Sequence, residues 1–247
     1  MPFGIKIEGV KYDMGNVHYY RQAIIDEVVP LIAPNIGHGV IYVIGRGFRD
    51  DFENAKLSCR VGNTIAKAIL IDVNTIRCTL DHELPLVDAG ESLLVSVALN
   101  SYSWISSDFS MVPYGITGMY PTMGPVGQSS QVMVTGKGFE NDLRENARCR
   151  FGTDGHYVIV EATVLDNEHL VCRSPSDQFS LPQGSDQQIS IPFSIAFQED
   201  LYFPYTESGE KFRLYIQPNL IEVFPKEIHV DKVTQIFITA HEDGSFW

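Results

Sequence analysis

An all-β fold of tandem β-sandwich domains, about seven strands in each, is predicted by three observations on these 247 residues. The apolar segments are short, about five to eight residues, and rich in Val, Ile, Phe and Tyr. Gly, Pro, Asn and Asp separate them, which is the punctuation of strands joined by turns. The chain also repeats itself at a spacing of about 90 residues, the size of a whole domain rather than of a solenoid unit.

The repeat is read from matching segments in matching order. Val40-Ile-Tyr-Val-Ile-Gly-Arg-Gly-Phe48 returns as Gln131-Val-Met-Val-Thr-Gly-Lys-Gly-Phe139. Cys59-Arg-Val-Gly62 returns as Cys149-Arg-Phe-Gly152, and Thr75-Ile-Arg-Cys78 as His169-Leu-Val-Cys172. Upstream, Ile25-Asp-Glu-Val-Val-Pro30 answers to Ile116-Thr-Gly-Met-Tyr-Pro121 and a third time to Ile221-Glu-Val-Phe-Pro225, which the apolar run Ile236-Phe-Ile-Thr239 follows. At the other end, Tyr19-Tyr20-Arg21-Gln22 resembles Phe212-Arg-Leu-Tyr-Ile-Gln217. The expected organisation is therefore the closing strands of one domain (1–22), two whole domains (23–113 and 114–217) and the opening strands of another (218–247).

In the second copy strands are expected near 116–120, 131–135, 147–151, 156–165, 169–173, 188–197 and 211–216, enough for two packed sheets. Val132 and Val134 alternate with Met133, as do Val158, Val160 and Ala162 with their neighbours, so each strand has one face for a core. Gly45 and Gly47, repeated as Gly136 and Gly138, sit where a strand ends and suit positive φ or close backbone contact in a bulged turn. A dinucleotide loop would need a third glycine where Asp50 and Asn141 stand. The joints near Pro113-Tyr114-Gly115 and Gln217-Pro218-Asn219 are short, which predicts a semi-rigid array.

Charge narrows the function classes. A formal net charge of −13 with 18 scattered basic residues disfavours a nucleic-acid partner and an anionic membrane surface. No apolar run approaches the roughly 20 residues that span a bilayer, so no membrane insertion is expected of this segment. Met1-Pro2-Phe3-Gly4-Ile5-Lys6 has none of the features of a secretory signal.

Ile-x-x-Val/Tyr-Pro, then Gly124-Pro125-Val126-Gly127, Val-x-Val-x-Gly-x-Gly-Phe, Cys-x-Phe-Gly and Cys172-Arg-Ser-Pro175 together resemble the immunoglobulin-like, plexin and transcription factor (IPT/TIG) domain. The second copy fits better. The first has Ala33-Pro34-Asn35-Ile36-Gly37 at the glycine-proline turn, Val61 for the aromatic before glycine, and Thr79 where Ser-Pro is expected. The resemblance implies an immunoglobulin-like sandwich and three settings: extracellular arrays, large repeat proteins, and transcription factors. The last would bring a basic surface that this chain lacks.

Four cysteines fall two per complete domain, Cys59 with Cys78 and Cys149 with Cys172. Disulfides within each domain are the favoured reading and imply an oxidising compartment. Buried reduced thiols are the alternative. No Asn-x-Ser/Thr acceptor occurs, which points the other way, toward a non-glycosylated or intracellular setting.

No catalytic, cofactor or metal site is expected. Gly127-Gln-Ser129-Ser130-Gln131 lacks the final glycine of a nucleophile elbow, and the seven histidines contain no helical i, i+4 pair. The acidic loops at Asp50, Asp51 and Glu53, and at Glu140, Asp142 and Glu145, read as solvated loops or, alternatively, as calcium ligands. Aromatic residues gather late in the second copy, and Phe193, Phe197, Tyr202, Phe203 and Tyr205 are either core or a protein-partner surface. The expected function is a non-enzymatic scaffold and protein-binding array, extracellular or on the cell surface. An intracellular ciliary or cytoskeletal filament component is the alternative.

Overall fold

The computed structural model of the chain describes residues 2–16, 20–50, 56–153, 155–180, 188–197, 205–217, 219–228, 233 and 235–241. The expectations at His18, Asp51, Glu53, Tyr202, Phe203 and His229 lie outside these residues. Strands carry the whole architecture, as alternating Val and Ile dictate. In chain order they are β1 (Pro2–Ile7), β2 (Val10–Asn16), β3 (Ile24–Val29), β4 (Ile32–Pro34), β5 (Gly39–Arg46), β6 (Ser58–Val61), β7 (Thr64–Asp72), β8 (Thr75–Leu80), β9 (Leu93–Ala98) and β10 (Trp104–Tyr120). There follow β11 (Met123–Pro125), β12 (Gln131–Lys137), β13 (Arg148–Thr153), β14 (His156–Val164), β15 (His169–Arg173), β16 (Gln188–Ala196), β17 (Lys211–Tyr215), β18 (Asn219–Phe224) and β19 (Phe237–His241). A 3-10 turn, Arg144–Asn146, precedes β13.

Two compact units divide the chain, Met1–Pro113 and Tyr114–Trp247. In the first, one sheet runs β3-β5-β8-β7 and the other β7-β6-β9-β10, with β4 also on β10. β7 belongs to both sheets because it is long and bends: residues 64–67 pair with β6, and residues 67–72 pair with β8. The second unit repeats this plan. The end of β10, then β12, β15 and the end of β14 form one sheet; the start of β14, β13, β16 and β17 form the other, with β11 parallel to β17.

Burial follows the pleat. Along β5 the inward Ile41 and Val43 are sealed from solvent while the intervening residues stay partly open, and β12 treats Val132 and Val134 the same way. The first core joins Ile41 and Val43 to Val61, Ile76, Val95, Val97 and Met111 from both sheets.

The two glycine positions serve different ends. A Cβ on Gly45 would lie 2.1 Å from the Ile24 carbonyl oxygen, and one on Gly136 would lie 2.1 Å from that of Gly115. Gly47 and Gly138 instead adopt φ of 80° and 75°, the left-handed region. Phe48 and Phe139 then turn back into the core over the first glycine of each pair.

Outside these sandwiches stand two separate two-stranded sheets, β1-β2 and β18-β19. The β1-β2 turn uses Glu8 and Gly9 at φ of 49° and 88°, as a tight primed turn requires. The β18-β19 pair copies the register of the opening strands of the complete domains: Phe224 faces Phe237 as Val29 faces Tyr42 and Tyr120 faces Met133. A register shift interrupts all three pairs at the same depth, and a cis X-Pro peptide ends all three first strands at Pro30, Pro121 and Pro225.

Candidate interaction surfaces and the disulfide-braced core

Cys59 and Cys78 form one disulfide and Cys149 and Cys172 another, with Cα atoms 6.0 and 6.5 Å apart. Their location explains what they brace. Cys59 on β6 stands opposite Ala66, and Cys78 on β8 stands opposite Ala68, either side of the bend where β7 leaves one sheet for the other. In the second unit Cys149 faces Val160 and Cys172 faces Ala162 across the corresponding bend of β14. Each bridge thus ties the two sheets together at the point where a shared strand holds them. All four cysteines are buried, and closing loops of about 20 residues contributes about 3 kcal/mol per bridge in the chain-entropy view.

The late aromatic cluster is largely core. Phe193 and Phe197 are sealed in the second unit, which corrects the expectation that they stand on a partner surface. Phe193 meets Phe151 edge-on at 5.0 Å between ring centroids, and Tyr114 meets Phe197 at 4.8 Å. Such T-shaped pairs set the positive edge of one ring against the negative face of the other. Burial also pushes the Tyr114 hydroxyl far above its ordinary range, with the nearby Tyr205 adding to the shift and a backbone hydrogen bond from Phe197 opposing it.

Tyr205 is only partly buried, and the Arg150 guanidinium lies 4.3 Å from its ring centroid. The first unit has the same device. Arg60, the residue after Cys59 as Arg150 follows Cys149, lies 4.6 Å from the Trp104 ring centroid. Arg150 Nε donates to Ser194 Oγ at 3.1 Å, whereas the buried Nε of Arg60 has no hydrogen-bond partner. Each contact contributes about 0.5–2 kcal/mol and fixes a flat cationic surface on the outer face of β6 or β13. Sequence reading passed over both, although the repeated Cys-Arg pair was its visible signal.

The acidic loop of the second copy is tied up locally: Glu140 pairs with Arg144 at 3.4 Å. Among the described residues no group of three or more His, Cys, Asp or Glu side chains is placed to hold a metal ion. The Asp166 carboxyl is held below the usual carboxylate range, first by the Glu168 backbone N–H and then by the His169 ring, so this turn is a structural cap on β15. No helix among the described residues is long and apolar enough to cross a membrane.

No curated protein matches the sequence. The chain is similar to the plexin A4 full extracellular region at 14% identity and a TM-score of 0.41, over 87% of this chain and 18% of that one. It is also similar to the surface glycan-binding protein PbSGBP-B from Prevotella bryantii at 14% identity and a TM-score of 0.29, over 76% of this chain and 42% of that one. The chain therefore spans about a fifth of the plexin region it matches. The IPT/TIG domain model matches residues 23–112 and 113–196, so the chain belongs to the IPT/TIG domain family and carries that domain in two tandem copies.

Proposed function

We propose that the chain is a non-enzymatic structural and protein-binding segment of a larger extracellular or cell-surface repeat protein. In this reading residues 1–22 close a preceding IPT/TIG sandwich and residues 218–247 open a following one. The short joint at Pro113-Tyr114-Gly115 makes the array semi-rigid. The observation that carries the proposal is the pair of intradomain disulfides, placed alike in both domains at the strand bend. Structural disulfides persist where the surroundings are oxidising. The Arg-aromatic surfaces at Arg60 and Trp104 and at Arg150 and Tyr205 are the proposed places for protein partners, because arginine stacked on half-buried aromatic rings anchors interfaces. Tyr202 and Phe203 adjoin the second in sequence.

One observation favours an intracellular filament component instead, namely the absence of any Asn-x-Ser/Thr acceptor. Alkylation of the native protein without reductant, followed by peptide mapping, separates the two. Linked peptides containing Cys59 with Cys78 and Cys149 with Cys172 are expected. Four alkylated thiols would remove the extracellular reading and leave the filament.

A further inference from the structure

Basic residues are few in the second domain, and the fold lines up those that are scattered in its sequence. Residues 114–217 carry seven Lys and Arg against thirteen Asp and Glu. Four of the seven stand in one row on the outer face of the sheet formed by β13, β16 and β17, and the strand register fixes their order. Arg148 lies opposite Ala196 and Arg150 opposite Ser194 on one side of β16; Lys211 lies opposite Pro192 and Arg213 opposite Ser190 on the other. Residues 190, 192, 194 and 196 share the outer face of β16, because side chains alternate along a strand and Ile191, Phe193 and Ile195 are buried on the inner one. The four cations therefore follow one another at two-residue steps along β16, slanting from β13 across to β17.

Tyr157 and Tyr205 flank the Arg150 guanidinium at 6.0 and 4.3 Å between its carbon and the ring centroids, which holds it in place in the row. Glu161 borders the row at one end, 3.9 Å from Arg148. At the other end Lys211 and Arg213 are exposed, and neither forms an ion pair among the described residues. The first domain does without such a row. Its corresponding positions are Ser58 and Arg60 on β6 and Ser110 and Val112 on β10. Ser110 lies opposite Leu94 as Lys211 lies opposite Pro192, and the Val112 N–H donates to the Leu31 carbonyl as the Arg213 N–H donates to that of Thr122. The strand plan thus needs no cation at three of these four places. Like charges in a row repel one another, so the row adds nothing to the stability of the domain that carries it.

We infer that this face binds an acidic segment of a partner protein, extended, with carboxylates on alternate residues set against the row. The inference rests on the protein-binding reading of the Arg150 and Tyr205 surface and names the chemistry of its partner. Charge complementarity carries it. Within β13 and within β17 the two cations are about 6.6 Å apart, which is also the spacing of alternate side chains on one face of an extended peptide. The whole row spans about 22 Å, the reach of about seven extended residues. The three arginines each offer a planar fork that a carboxylate can accept through two parallel hydrogen bonds. A sulfated glycan would bring the charge without the two-residue step. The net charge of −13 repels an anionic segment from the rest of the chain, which directs it to this face.

The test is fluorescence anisotropy of a fluorescein-labelled peptide of alternating Asp and Thr, long enough to cover the row, titrated with the full 247-residue chain at low ionic strength. The peptide is expected to bind and to be released as salt is added, and the same peptide with Asn for every Asp should not bind. Lys211→Gln and Arg213→Gln remove exposed charges and should each weaken binding about two- to fivefold. Arg173→Gln removes the same charge from β15 in the other sheet and should bind as wild type does. Hydrogen exchange in residues 131–137 shows that the second domain stays folded in each variant. If Arg150→Gln loses binding while Lys211→Gln and Arg213→Gln keep it, the row is overturned and the Arg-aromatic partner surface stands. A folded chain that ignores the acidic peptide, or that binds heparin and not the peptide, also overturns the inference, and thiol mapping then decides the wider proposal independently.

Discussion

The two IPT/TIG domains share a backbone and differ in what fills it. Directly across β6 and β9 the first domain sets Val61 against Val95; across β13 and β16 the second sets Phe151 against Phe193. Leu99 and Phe197 continue the contrast just beyond these strands, and both are fully buried. Phe212 then packs edge-on against Phe151 at 5.6 Å between centroids. The second domain concentrates its apolar volume inside. The first leaves more of it outside: Ile65, Ile69 and Ile71 project from β7, and Val73 follows at the turn, all exposed. The corresponding strand β14 carries Glu161 and Thr163 on its open side. One strand plan thus tolerates an aliphatic or an aromatic core, because the frame is set by backbone pairing, glycines and the disulfide rather than by particular side chains.

The largest test of that contrast is core truncation. Phe193→Ala removes a ring that meets Phe151 edge-on and is expected to destabilise the second domain by about 3–5 kcal/mol. Val95→Ala removes two methyl groups at the matching place and should cost the first domain about 2 kcal/mol. Hydrogen-exchange mass spectrometry across a urea series reads the two domains separately within the intact chain. Equal losses would mean that the aromatic cluster contributes no more than the valine pair despite its larger volume.

A smaller effect should be shared, and would show that the frame is common while the filling is not. Gly45→Ala and Gly136→Ala each push a methyl group against a backbone carbonyl that cannot move without breaking the strand pair. Both should destabilise their own domain by about 1–3 kcal/mol, with similar values in the two. A loss confined to one domain would show that the two frames are not equivalent. In the β18-β19 hairpin the matching register position, opposite Leu220, is Ala240 in place of glycine.

Much of this frame was legible in the sequence because its causes are local. Gly-x-Gly-Phe, alternating valines and similarly spaced cysteines each impose one backbone geometry, and the expected strands of the second copy fall on the end of β10 and on β12 to β17 with small shifts at their ends. The short β4 and β11 escaped notice: three residues ending in proline show no alternation, and only pairing with β10 and β17 makes them strands. The surface was harder to read. Phe193, Phe197 and Tyr205 are alike in sequence context, and their division into core and surface follows from which sheet face each one meets in the fold. Arg60 and Trp104 are far apart in the chain, so their stacking is a tertiary fact.

The smallest expected difference between the domains is electrostatic. In the first, Asp26 accepts two hydrogen bonds from Arg46, both at 2.9 Å, and Asp81 accepts one from Lys67 at 2.8 Å. These hydrogen bonds hold both carboxyls below the ordinary aspartate range. In the second domain the register position of Asp26 is held by Thr117, so that pair has no counterpart. A carboxyl whose folded pKa is depressed stabilises the fold above its unfolded pKa and loses that contribution as the pH falls through the folded value. Both pairs are solvent-exposed, so the effect is small and screened by salt. Lowering the pH below about 4 at low ionic strength should therefore weaken the first domain slightly through these pairs, and Asp26→Asn should remove part of that dependence. Hydrogen exchange in residues 24–29 and 39–46, measured at two pH values with and without salt and corrected for intrinsic exchange, reads the change where it arises. An unchanged pH response in Asp26→Asn would mean that the Arg46 pair is geometry without energetic consequence.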